Sequence, residues 1–146
     1  MKLNLEASRV RDVMAPIVYS LARDQSLAEA AKLFGDRDIS GAPVCDRQRK
    51  VLGMLSKSDI AEFVAKNQLD HSVEEAMVRE VHSVRADEPF SAAVKLMAFE
   101  GVHRVVVVDA EGGLVGILTA MDVVREISGY GRRASTRIEA VAPPEK

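Results

Sequence analysis

A single cysteine, Cys45, cannot form an intrachain disulfide, which makes a reducing compartment the expected setting. Charge of one sign is also missing. A net charge of -2 gives no general attraction to phosphate polymers, so sequence-independent nucleic-acid binding is not expected. Nowhere does an uninterrupted apolar run reach the length needed to cross a bilayer. Met1-Lys2-Leu3-Asn4-Leu5-Glu6 meets charge before an apolar stretch can build, which argues against a secretory signal and for a cytoplasmic protein without membrane partners. His71, His82 and His103 are too scattered to form a metal site by spacing, and there is no second cysteine to help them. No nucleophile–base pair or phosphate-binding glycine loop is present, so nothing points to an enzyme.

What the 146 residues do have is a core-forming composition, 47% hydrophobic against 29% charged, and an internal duplication. Met77 lies 63 positions after Met14, Gly116 the same distance after Gly53, and Asp122 the same distance after Asp59, with no gap between these anchors. At that offset Val18 meets Val81, Ser20 meets Ser83, Asp24 meets Asp87 and Lys32-Leu33 meets Lys95-Leu96. A long repeat present only twice suggests a paired domain instead of an extended array.

Each copy reads β-α-β-β-α. Val18 to Leu21 and Val81 to Val84 are short strand candidates. Leu27, Ala30, Ala31 and Phe34 lie at helical spacing, matched by Phe90, Ala93, Val94 and Met97. Ser26 with Glu29 can form a capping box, and Pro89 suits a first helical turn. Two further strands are expected over 42–45 and 51–55, repeated over 104–108 and 114–118, followed by helices over 56–67 and 119–128. Helical lead-ins precede the copies at 10–14 and 72–77. The motifs are placed at 8–67 and 72–130, with Asn67 to His71 as linker and 131–146 as a mobile tail; about the first nine residues are expected to be loose. Arg132, Arg133 and Arg137 are too few charges for DNA or membrane binding.

The most specific pattern is Gly53-Met54-Leu55-Ser56-Lys57-Ser58-Asp59 and its copy Gly116-Ile117-Leu118-Thr119-Ala120-Met121-Asp122. Glycine, two apolar residues, a hydroxyl and an aspartate fall where a strand ends and a helix begins. Such a corner suits an anion, because unpaired N–H groups and the positive helix end point outward. The hydroxyl can donate to phosphate and the carboxylate can accept from ribose hydroxyls. The same residues also make a good capping box that requires no ligand. Spacing alone leaves both readings open.

The sequence resembles the cystathionine-β-synthase (CBS) domain family. The resemblance rests on Asp12-Val13-Met14, Ala42-Pro43-Val44-Cys45-Asp46 and the glycine-to-aspartate motif, then on Glu75-Ala76-Met77, Val102 through Asp109 and Gly116 through Asp122. It spans about Ser8 to Ile127 and is similar to a tandem Bateman module. It implies an α/β fold of two tandem β-α-β-β-α motifs packed with pseudo-two-fold symmetry, with clefts between the copies for AMP, ADP, ATP or S-adenosylmethionine. NAD is a further alternative. On this reading Asp59 and Asp122 resemble ribose ligands, Ser56 and Thr119 lie near phosphate, and Ser20, Ser83, Ala42-Pro43 and Val105-Val106 form purine-facing walls. His103-Arg104 is similar to a phosphate-contacting pair in the regulatory subunit of the AMP-activated protein kinase.

The copies depart from one another. Ser40-Gly41 stands where the second copy has His103-Arg104, Val106 replaces Pro43, and Met121 lacks the hydroxyl of Ser58. A nucleotide contacted by His103, Arg104, Thr119 and Asp122 is favoured, and the clefts are expected to differ in affinity. Against these readings, His103 serves equally as an exposed strand-start residue. His82 fits a strand surface, Cys45 fits a core strand, and the methionines fit packing. The expected function is a regulatory module, homodimeric by resemblance, that takes an adenine nucleotide as ligand, holds no tight cofactor and reports to an unidentified regulated protein. The alternative is a dimerisation unit that binds nothing.

Overall fold

A computed structural model describes residues 8–16 and 19–129. In chain order the elements are α1 (Val10–Val13), β1 (Ala15–Pro16), β2 (Leu21–Ala22), α2 (Leu27–Arg37), β3 (Gly41–Cys45), β4 (Val51–Ser56), α3 (Lys57–Ala65), α4 (Val73–Ala76), β5 (Ser83–Arg85), α5 (Phe90–Glu100), β6 (Arg104–Val108), β7 (Leu114–Thr119) and α6 (Ala120–Ile127). The α/β character and the repeated β-α-β-β-α order are as the sequence implies. Val18, the first residues of the chain and the tail over 131–146 lie outside the described residues. The first strand of each copy is shorter and later than the pattern suggests, beginning at Leu21 and Ser83.

The compact units do not coincide with the sequence repeats. One unit holds residues 19–81; the other joins residues 8–16 to the second repeat from His82 onward. The lead-ins have changed places.

In the first of these units, β3 lies between β2, parallel, and β4, antiparallel. Its core joins Leu21, Leu27, Ala30, Phe34, Ala42, Val44, Leu55 and Ile60 to Val73, Ala76 and Met77 of the following lead-in. Alternation along β3 turns Ala42 and Val44 to this core and Pro43 to the opposite face. Backbone bonds seat the lead-in: Leu27 N donates to His71 O at 3.0 Å and Val73 N to Gln25 O at 2.7 Å. The 67–71 segment, expected as a linker, is therefore part of the unit. His71 packs edge-on against Phe63 and its Nδ1 lies 2.6 Å from Glu75 Oε2.

In the other unit the sheet order is β1-β7-β6-β5. Val10 and Val13 of α1 enter a core with Val84, Phe90, Ala93, Met97, Val105, Val107 and Leu118. Val10 N donates to Glu88 O and Phe90 N to Ser8 O, at 2.9 and 2.8 Å. The Ala15-Pro16 strand against β7 is an element the sequence pattern did not announce, since two residues carry no period. Pro89 takes the N-cap position of α5 instead of its first turn.

This exchange explains the recurring Met–Gly pair. A Cβ on Gly116 would stand 2.5 Å from Ala15 O and 2.6 Å from Met14 Sδ. A Cβ on Gly53 would stand 2.7 Å from both Val78 O and Met77 Sδ. Each glycine lets a lead-in backbone lie directly on the sheet, a close approach that no side chain permits.

Candidate functional site

Both strand-to-helix corners form as the motif requires, each in its own unit. In the unit of residues 19–81, Ser56 ends β4 and caps α3. Its Oγ accepts from Asp59 N at 3.3 Å, while Asp59 Oδ2 accepts from Ser56 N at 2.8 Å. Ser56 Oγ also donates to Asp59 Oδ2 at 2.8 Å and lies 2.9 Å from Ser58 Oγ. Gly41 stands opposite Ser56 in the ladder, and Lys57 N donates to Ser40 O at 2.9 Å. Ser20, just before β2, is buried. Ala42 turns into the core, and Pro43, on the opposite face of β3, is fully buried as well.

The corner of the other unit repeats this geometry with different chemistry. Thr119 N donates to Asp122 Oδ2 at 2.9 Å, and Asp122 N donates to Thr119 Oγ1 at 3.1 Å. Asp122 is only 9% exposed, and its Oδ1 lies 3.8 Å from Arg125 Nη1. Arg104 stands opposite Thr119 in the ladder, and Ala120 N donates to His103 O at 2.8 Å. The strand start, strand end and helix start thus bring His103, Arg104, Thr119 and Asp122 together. Ser83, exposed, pairs with Val106 at the start of β5. Val105 is buried in the core, and Met121 is exposed beside the corner.

The capping boxes are real in both places and account for the hydroxyls and for Oδ2 of each aspartate. That geometry is compatible with either reading. It uses one carboxylate oxygen per box, and one corner carries Arg104 where the other has Gly41. Among the described residues no group of three or more His, Cys, Asp and Glu could hold a metal ion. No helix among them is long and apolar enough to cross a membrane.

The CBS domain family model matches residues 10–66 and again residues 73–129. The chain belongs to the CBS domain family. The uncharacterized protein MJ1232 of Methanocaldococcus jannaschii is 40% identical over 121 residues, which are 83% of this chain but 40% of that protein. The chain therefore spans less than half the length of that relative. Among solved structures, the CBS domain pair of protein MJ0100 in complex with 5-methylthioadenosine and S-adenosyl-L-methionine is 30% identical, with a TM-score of 0.74 over 84% of this chain and 97% of that one. CBSX2 in complex with AMP is 26% identical, with a TM-score of 0.72 over 83% and 96%. This chain is thus a pair of CBS motifs whose structural neighbours include pairs that bind adenosine-containing ligands.

Proposed function

We propose that this CBS pair is a regulatory module that binds an adenine nucleotide, AMP, ADP or ATP, and passes its bound state to another protein. The observation that carries the reading is Arg104 placed across from Thr119 at the start of α6. A guanidinium and a hydroxyl at the positive start of a helix suit a phosphate, and a charge-assisted arginine contact contributes roughly 1.5–3 kcal/mol. Asp122 is assigned to the ribose hydroxyls and His103 to phosphate, while Ser83 and the Val105-Val106 backbone face the purine. The corner of Ser56, Ser58 and Asp59, with Ser20, Ala42 and Pro43, offers no such cation in its ladder position and is assigned the weaker binding. Output requires that the nucleotide prefer one conformation of the pair over another. The module works as a homodimer and performs no chemistry on its ligand.

S-adenosylmethionine is the second reading, favoured by the ligands of the MJ0100 pair. It shares the adenosine half but places no phosphate against Arg104.

Thermal unfolding with AMP, ADP, ATP, S-adenosylmethionine and NAD separates these. A ligand at a hundred times its dissociation constant stabilises by about 2.7 kcal/mol, roughly 10 °C for a chain of this size. Because Asp122 caps α6, replacing it with alanine also removes the cap, so Asp122→Asn is the cleaner probe. An amide keeps an acceptor for Thr119 N and presents a donor where the ribose needs an acceptor. The expected result is an unchanged melting temperature without ligand and a lost ligand shift. A full ligand shift in that variant would refute the site assignment, and no shift with any of the five compounds would leave a dimerisation unit.

A further inference from the structure

The two copies carry different charge on equivalent hairpins. Between β3 and β4 the turn reads Asp46-Arg47-Gln48-Arg49-Lys50, with residues 47–50 all exposed. Between β6 and β7 it reads Asp109-Ala110-Glu111-Gly112-Gly113, where no cation stands and Glu111 takes the place of Gln48. Three cations in four residues do not follow from a basic chain, because the net charge is -2. The shared aspartate is turned to the backbone: Asp46 Oδ1 accepts from Gln48 N and Lys50 N, both at 2.9 Å. Asp46 N also donates to Lys50 O at 3.0 Å, so the cations stand on a turn whose backbone is already ordered.

Arg49 is held there at a cost. Its φ of 67° lies in the left-handed region, where the equivalent Gly112, at 84°, has no side chain to strain. A long side chain kept where glycine suits the backbone points to a use for that side chain. The tip also stands apart from the nucleotide motif. The length of β4 separates Lys50 from the corner at Ser56, about 20 Å at roughly 3.3 Å per residue. Two guanidiniums and an ammonium suit a run of carboxylates, which arginine binds through paired donors. A nucleic-acid strand fits less well, since the turn has no aromatic side chain to stack a base and the chain has no net positive charge.

We propose that the β3–β4 tip, through Arg47, Arg49 and Lys50, is a docking surface for an acidic segment of a partner protein. It rests on the reading that the module reports to another protein, and it gives that protein a point of contact.

Anisotropy of a fluorescent hexaglutamate peptide, titrated with the full chain at low ionic strength and without nucleotide, tests it. Saturable binding that weakens with added salt is expected. Arg47→Glu combined with Lys50→Glu is expected to raise the dissociation constant at least about tenfold, with circular dichroism and the AMP-induced thermal shift unchanged. Arg49→Gly is expected to weaken binding about threefold while raising the urea midpoint, opposite signs that a purely structural arginine would not give. No saturable binding, or binding indifferent to these substitutions, would overturn the docking surface and leave the nucleotide reading standing. Tighter binding of hexathymidylate than of hexaglutamate would overturn the acidic partner in favour of phosphate. Loss of the AMP shift in the doubly substituted protein would place the tip in the nucleotide site and overturn its separate role. A wild-type protein that takes the peptide but responds to no nucleotide would support the tip and refute the nucleotide reading alone.

Discussion

Where the backbone turns left-handed, the copy carrying α5 and β6 uses glycine, Gly101 after the helix and Gly112 in the hairpin. The copy carrying α2 and β3 has Asp38 and Arg49 at the same places, with φ of 52° and 67°. The hairpins are otherwise alike: Arg49 N donates to Asp46 O and Gly112 N to Asp109 O, both at 3.0 Å. At the strand-to-helix corner the asymmetry reverses, with Ser40-Gly41 in the first copy and His103-Arg104 in the second. The copies share the backbone conformation at these turns, while the residues that adopt it, like those at the corner, differ. The comparison teaches which positions are architectural, and substitutions can break or sharpen it.

The largest effect is expected at the shared architectural glycine. Gly116→Val should cost about 3 kcal/mol or more, because its Cβ meets the fixed carbonyl of Ala15. Urea unfolding measures this, and Gly53→Val should behave alike against Val78 O. A cost under about 1 kcal/mol at both sites would show that the lead-ins do not press on the sheets. Next come the caps: Ser56→Ala and Thr119→Ala should each cost about 1 kcal/mol, equally in both units. Unequal costs would mean that one box is not mainly structural. Asp38→Gly and Arg49→Gly should instead stabilise, by up to about 1 kcal/mol, since the left-handed region penalises side chains. Arg49 should gain the more, because aspartate tolerates that region better. The counterparts Gly101→Asp and Gly112→Arg should lose similar amounts.

The smallest effect concerns pH and one lead-in only. Bonds from Ser72 N–H, His71 and Ser72 Oγ hold the exposed Glu75 carboxyl below its ordinary value of 4.5. A carboxyl lowered by folding stabilises above that value and loses the contribution as pH falls through its folded value. Glu75→Gln should therefore flatten the fall of the urea midpoint below about pH 4.5, with little change in its slope at neutral pH. An identical acid limb in both proteins would show that Glu75 does not clasp α4.

Much of the fold was legible because the repeat shows each pattern twice. The helix around Leu27, Ala30 and Phe34 and the strand from Arg104 to Val108 follow from apolar spacing alone. The exchange of lead-ins was not legible, since pairing between distant segments leaves no local period. Its trace was the recurrence of Met14 with Gly53 and Met77 with Gly116, although each methionine packs on the other copy's glycine. The corner residues were visible as a motif, yet the sequence could not separate cap from ligand site. The structure shows why: one hydroxyl and one carboxylate oxygen make the cap, and the same groups border the corner.

Titration of the isotopically labelled protein with AMP, followed through its backbone amide signals, tests the central claim most directly. The account predicts saturable shifts concentrated at His103, Arg104 and Thr119 through Asp122, smaller shifts at Ser56 through Asp59, and loss of the former in Arg104→Ala. Saturable binding that leaves the amides of Thr119 through Asp122 unmoved would contradict it.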